Sequence, residues 1–215
     1  MRILLFANGD LPDPTHARSL IRPTDFILCA DGGTRHALAL GLTPDLVIGD
    51  LDSALPETVA KLREAGVEIR QFPVDKDYTD LELALLAARE LRPEEVILLG
   101  ALGGRLDQML ANIFLLARPE FSSLNLVLVS GPERARIVRD EIIVRGRVGD
   151  TISVLPLSSD VAGLSYHSGL RWRLTDADLP FGSSRGVSNE LIAEQARITL
   201  RSGVILVIHT KAARG

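Results

Sequence analysis

Along the first 130 positions, short runs of consecutive apolar residues alternate with longer stretches in which apolar and polar positions are mixed. The runs at 3–7, 26–30, 46–48, 67–72, 96–99 and 124–129 predict strands, several apolar throughout as strands covered on both faces must be. Between them, 55–65, 81–91 and 106–117 have helical length and Leu/Ala-rich faces, and 33–40 predicts a shorter helix. Strands separated by helices of this size imply right-handed crossovers and a mainly parallel sheet with helices on both faces.

The pattern changes after Ser130-Gly131-Pro132. Runs at 134–138, 141–144, 151–155, 170–174, 196–200 and 204–209 are short and rich in β-branched residues, with Gly-, Ser- and Asp-containing turns between them. No helix competes with them. Ile198-Thr199-Leu200, Arg201-Ser202-Gly203 and Val204-Ile205-Leu206 together predict a terminal hairpin. The expected architecture is α/β: an N-terminal α/β/α sheet domain over 1–130, then a C-terminal all-β, sandwich-like domain over 131–215.

Composition narrows the function classes. With 215 residues, 46% of them hydrophobic, the chain can bury a sizeable core, and a formal net charge of -4 is a poor footprint for binding bulk nucleic acid. Residues 1–130 hold 19 acidic and 12 basic side chains and residues 131–215 hold 9 and 12, so an acidic first part meets a basic second part. That asymmetry permits a second-domain surface that holds an anion or docks on another copy. The single cysteine, Cys29, excludes an internal disulfide framework and fits a reducing compartment. The opening apolar run is broken at Asn8-Gly9-Asp10, too soon for a signal peptide, and no later stretch could span a bilayer, so a cytoplasmic protein with no membrane partner is expected.

Candidate chemistry lies at the strand ends, where open parallel sheets bind ligands. Asp10 follows the first predicted strand, Asp31 the second, Asp50 and Asp52 the third, and Asp75, Asp77 and Asp80 the fourth. The fifth runs into Gly100-Ala101-Leu102-Gly103-Gly104-Arg105-Leu106-Asp107. Any one of these aspartates is accounted for as a turn or cap residue, Thr79 with Asp80 and Glu82 being a good helix start. The set asks for more, because crowded carboxylates repel one another unless a hard cation such as Mg2+ joins them. Beside a metal, Lys76, Gly103, Gly104 and Arg105 suit the positioning and charge neutralisation that phosphoryl transfer needs. Lys76 is one of three lysines against 21 arginines, although a solvated surface lysine is the stronger account of it from the residues alone. There is neither a P-loop nor a dinucleotide fingerprint. Cys29 lies in an apolar strand, the four histidines are scattered, and Ser53 and Ser130 have no evident base.

Four segments in order, Cys29-Ala30-Asp31-Gly32-Gly33, Pro44 through Ser53, Asp75-Lys76-Asp77-Tyr78-Thr79-Asp80 and Gly103-Gly104-Arg105-Leu106-Asp107-Gln108, resemble the successive motifs of the thiamine pyrophosphokinase family. The similarity continues through Gly169-Leu170-Arg171-Trp172-Arg173-Leu174 and Val187-Ser188-Asn189-Glu190. The resemblance implies pyrophosphoryl transfer from ATP, as co-substrate, to thiamine, with Mg2+, giving thiamine diphosphate and AMP. It implies a homodimer with shared active sites, the first domain binding ATP and metal and the second contributing to thiamine binding and dimerisation. Carried over by motif, Asp50, Asp52, Asp75, Asp77 and Asp107 are catalytic, with Asp50, Asp52 and Asp75 on the metal. Asp31, Lys76, Asp80, Gly103, Gly104 and Arg105 then belong to the nucleotide and phosphate site, and Trp172, Ser188 and Asn189 to the thiamine site. Trp172 has two readings, a strand residue in the sandwich core or a flat ring against thiamine. Gln108 stands where many relatives carry histidine, so no general acid or base is assigned there. Two other classes fit the residues alone: another Mg2+-dependent nucleotide phosphotransferase or nucleotidyltransferase, and a non-catalytic nucleotide-binding module.

Overall fold

Buried apolar runs set the centre of the first unit. In the computed structural model, which describes residues 1–52 and 55–213, the chain forms two compact units, Met1–Gly131 and Pro132–Gly215. Ser53 lies outside the described residues, as do the last two positions of the expected second domain.

The first unit runs β1 (Arg2–Phe6), α1 (Pro14–Leu20), β2 (Phe26–Ala30), α2 (Thr34–Ala39), β3 (Leu46–Gly49), α3 (Pro56–Glu64), β4 (Glu68–Gln71), α4 (Asp80–Glu90), β5 (Glu95–Leu99), α5 (Leu106–Leu116) and β6 (Leu126–Ser130). The strands pair in parallel in the order β6-β5-β1-β2-β3-β4. Alternate side chains serve the two faces. Leu4, Phe6, Cys29, Val47, Ile97 and Val127 share one core with Ala17, Ala37 and Leu62 from α1, α2 and α3. Ile3, Leu5, Leu28, Ile48 and Leu98 are buried on the other face, where α4 packs against β2 and β3 with Leu81, Ala84, Leu85 and Ala88 buried. From β1 the chain turns toward β2, and from β5 it turns the opposite way toward β6. The topological switch point therefore lies beyond the carboxyl ends of β1 and β5.

Helix α1 escaped the sequence reading. Its N-terminal signal is ordinary, Asp13 accepting from His16 N at 2.8 Å with Pro14 at the first helical position. Only Ala17 of its seven residues is buried, however, so no apolar period announces it.

The second unit contains β7 (Glu133–Val138), β8 (Glu141–Arg145), β9 (Thr151–Pro156), β10 (Val161–Ser168), β11 (Ala177–Leu179), β12 (Asn189–Glu190), β13 (Gln195–Thr199) and β14 (Ile205–Thr210). They form two antiparallel groups, β12-β9-β14-β7 and β11-β10-β13-β8. Val138, Ile152, Val154, Ile205 and Val207 of the first meet Val144, Leu164, Tyr166, Ala196 and Ile198 of the second in one core, which is the sandwich expected.

Three details differ from expectation. The terminal hairpin does not form: β8 and β10 take both edges of β13, and β7 and β9 take both edges of β14. The turn at Arg201-Ser202-Gly203 thus carries the chain from one sheet to the other. Nor is 170–174 a strand. Leu170 makes a single bridge to Leu191, Arg171 N–H donates to Glu190 O at 3.0 Å, and the main-chain groups of Trp172 are taken by a side chain described below. Strand β10 was unexpected because Gly163 and two serines interrupt its apolar pattern, and its pairing shifts register twice.

Candidate active site

The loops after β1, β2, β3, β4 and β5 converge on a cavity of about 300 Å³ in the first unit, at the switch point of the sheet. Asn8, Asp31, Asp50, Lys76, Asp80 and Gln108 are among the residues lining it. Two glycines let the loops come this close. A side chain at Gly49 would put its Cβ 2.7 Å from Asp31 Cβ, and one at Gly103, where φ is +90°, would run into the Asp10 carboxylate. Asp31 and Leu51, neither a glycine, hold left-handed backbone at φ of 40° and 61°. Such conformations persist only where surroundings enforce them, and here they aim the acidic edge.

Asp31, Asp50 and Asp52 each offer a carboxylate oxygen, and the three oxygens lie within 4.8 Å of one another. Asp31 is buried, Asp50 half-buried and Asp52 exposed. Asp75 and Asp77 are exposed and do not join this group, so the structure brings Asp31 into the place where the sequence expectation put Asp75. Lys76 is not a solvated surface lysine. Its Nζ stands 3.2 Å from Asp50 and 3.0 Å from Asp80, with its side chain 12% exposed. The Asp52 N–H, donating to Asp50 at 3.1 Å, holds the Asp50 carboxyl below its ordinary value; partial burial opposes this and the Lys76 ammonium assists. Burial works against the Lys76 charge, but Asp80 and Asp50 outweigh it and raise its pKa. Burial dominates at Asp80 and pushes that carboxyl up, against the pull of Lys76.

The glycine-rich segment contributes less than expected. Gly103 lines the cavity, but Gly104 does not, and Arg105 and Asp107 are exposed and paired with each other at 2.5 Å rather than turned into it. Arg105 draws Asp107 below the usual carboxylate range. Asn8 and Asn112, which the sequence reading passed over, line the cavity, Asn112 donating to Ala101 O at 2.8 Å. The only signal for Asn8 was its place at the end of β1. Cys29 is buried in β2 with its thiol pushed up to about 12 by burial, which fits a core residue.

In the second unit, Trp172 is 57% exposed, which removes the reading that placed it in the sandwich core. Its ring is bordered by the Arg171 guanidinium, 5.8 Å from the ring centroid, and Arg171 pairs with Glu190 at 3.1 Å. Ser188 is exposed and left-handed at φ of 60°, its N–H donating to Ser153 Oγ at 3.0 Å. Asn189 is buried, and its amide is committed to the main chain. Oδ1 accepts from Trp172 N at 3.1 Å and Glu190 N at 2.9 Å, and Nδ2 donates to Trp172 O at 2.7 Å. Of the expected pair, Ser188 alone is exposed.

Comparisons with known proteins cover both units. Residues 17–128 match the family model described as "Thiamin pyrophosphokinase, catalytic domain", and residues 140–205 match the one described as "Thiamin pyrophosphokinase, vitamin B1 binding domain". Thiamine pyrophosphokinase of Bacillus subtilis (strain 168) is 28% identical over 182 residues, 84% of this chain and 85% of that protein. Thiamine pyrophosphokinase 1 of Oryza sativa subsp. japonica is 30% identical over 84% of this chain and 77% of its own length. The crystal structure of the Bacillus subtilis enzyme superposes with a TM-score of 0.88 at 26% identity, covering 99% of this chain and 100% of that one. A thiamin pyrophosphokinase family protein from Enterococcus faecalis gives 0.84 at 30% identity, with coverage of 99% and 100%.

Proposed function

The chain belongs to the thiamin pyrophosphokinase family, and we infer from that membership that it transfers the pyrophosphoryl group of ATP to thiamine, giving thiamine diphosphate and AMP. The observation that carries this reading is the match of the two units to the family's catalytic and vitamin B1 binding models, in that order along one chain. Separation of products tests it. AMP and thiamine diphosphate should form one for one, whereas ADP with thiamine monophosphate would replace this reaction with a simple phosphotransfer.

The residues of the first unit suit the polyphosphate. Lys76, held by Asp50 and Asp80, is a fixed cation at the cavity wall, and a cation placed before the reaction needs no reorganisation as negative charge builds on the bridging oxygen that leaves with AMP. Asn8 and Gln108 add neutral polar groups to the wall.

Asp31, Asp50 and Asp52 are the proposed Mg2+ ligands. All are hard oxygen donors, and their 4.8 Å spread is only slightly wider than the about 4 Å that ligands of one Mg2+ span, a gap the exposed Asp52 can close by rotation. When bound, Mg2+ would neutralise polyphosphate charge. Asp75 is left out of the set, and Asp77, Arg105 and Asp107 remain proposed participants only through contacts made with substrate present.

For thiamine, Trp172 offers an exposed aromatic face to a cationic ring and Ser188 an exposed hydroxyl. Asn189 serves by fixing Trp172. The active unit in this proposal is a homodimer with shared sites. Support comes from Leu106, Leu110 and Phe114, exposed at four-residue spacing along α5, a helix whose Gln108 and Asn112 line the cavity. A cytoplasmic setting is proposed from the free, buried Cys29. Among the described residues, no helix is long and apolar enough to cross a membrane.

A further inference from the structure

Helix α2 reaches the loop after β1 through two adjacent side chains. His36 Nε2 lies 2.8 Å from Gly9 O, and because a carbonyl oxygen only accepts, that ring nitrogen carries the hydrogen and donates. Arg35 donates through one terminal nitrogen to the same oxygen at 3.1 Å and to Asn8 O at 3.0 Å. Arg35 is exposed and His36 half-buried. Neither lines the cavity of the first unit, whereas Ala7, Asn8 and Gly9 do. The close approach of the helix needs a glycine at its start, since a Cβ on Gly33 would run into Phe6 O at the end of β1.

On its other side the same loop is tied to the loop after β5. Gly9 N donates to Gly100 O and Asp10 N to Leu102 O, each at 2.6 Å, and Asn112 Nδ2 holds Ala101 O at 2.8 Å. The β1 loop is therefore clamped between α2 and the glycine-rich segment. Two consequences follow for an anionic ligand. The carbonyl oxygens of Asn8 and Gly9, which would repel phosphate oxygens if they turned into the cavity, are drawn toward α2 instead. A loop ordered before binding also spares the ligand the entropy of ordering it.

We propose that His36 and Arg35 are positioning residues for the nucleotide: by holding the Asn8 and Gly9 carbonyls against α2, they keep the β1 loop in the form that receives the phosphate chain of ATP. The proposal rests on the transferase reading for the identity of that ligand. Both residues act through the loop and neither needs to touch the nucleotide.

Steady-state kinetics of the full chain, together with calorimetric titration of ATP in the presence of Mg2+ and without thiamine, test it. His36→Leu keeps bulk and removes the donor. It should raise both KM and Kd for ATP about tenfold, lower kcat no more than about threefold and leave KM for thiamine within about twofold. His36→Gln, whose amide nitrogen restores a donor, should recover most of the ATP affinity. Arg35→Ala, at an exposed position, should raise both ATP constants about threefold and carries the test if the leucine variant does not fold. Equal losses for ATP and thiamine, no recovery with glutamine, or unchanged ATP affinity in the variants overturns the proposal. The reaction assignment fails separately: unaltered protein that binds ATP but forms no AMP and thiamine diphosphate would sink it, while the ATP dissociation constants would still decide the role of His36 and Arg35. Unaltered protein that binds no ATP overturns both.

Discussion

Asn189 grips Trp172 through both of its main-chain polar groups, accepting from its N–H at 3.1 Å and donating to its carbonyl at 2.7 Å. The segment thereby gives up strand pairing, and the only tryptophan of the chain is held outward with its ring in solvent. Asn189→Ala strands both groups and releases the ring. Expected are an altered Trp172 fluorescence and a KM for thiamine raised about tenfold, with the KM for ATP and kcat near wild type. Asn189→Asp, which keeps the acceptor but not the donor, should fall between. Equal losses for both substrates would contradict the brace.

The carboxylate triad makes a prediction about metal. Asp31→Asn and Asp50→Asn keep side-chain size and remove charge from a group whose oxygens lie within 4.8 Å. Each should reduce turnover on the order of a hundredfold and weaken Mn2+ binding, followed by paramagnetic relaxation of water. Asp75→Asn, at an exposed position outside the triad, should leave Mn2+ affinity within about twofold. The reverse ranking would return Asp75 to the ligand set.

Much of this was legible in the chain. Consecutive apolar runs signalled β1, β2, β5 and β6 because both faces of a parallel sheet are covered, and the motif order pointed to the acidic edge. What the sequence hid were effects without a periodic signature. Strand β10 is interrupted by Gly163, α1 buries one residue, and 170–174 has a strand's composition but gives both main-chain groups of Trp172 to Asn189. At the site, Asp75 and Asp77 repeat the Asp50/Asp52 spacing, yet only backbone geometry decides which carboxylates converge. The left-handed conformation of Asp31 is not readable from its neighbours.

Acid should weaken the second unit through Asp150. Burial alone would raise this carboxyl, but the Arg147 and Ala212 N–H groups and His209 outweigh it and hold it low. With its folded value below the unfolded one, its contribution is fully present above about pH 4 and is lost as pH falls through the depressed value. Asp150→Asn should therefore lower stability at neutral pH and flatten the acid limb of urea denaturation curves. An unchanged acid limb would contradict the assignment.

The apolar stripe on α5 predicts the oligomeric state. Leu110→Lys and Phe114→Lys place charges where a second copy is proposed to sit, on residues 45% and 49% exposed in the single chain. Sedimentation should show a dimer for the unaltered protein and a monomer for the paired variant. A dimer in both would move the contact elsewhere.

The reaction itself is tested most directly by following the phosphorus atoms. With ATP labelled at the β position in one experiment and the γ position in another, a single pyrophosphoryl transfer must carry both labels onto thiamine in equal yield and leave the α phosphorus in AMP. Thiamine diphosphate that receives the γ label without the β label, with ADP accumulating, would contradict it.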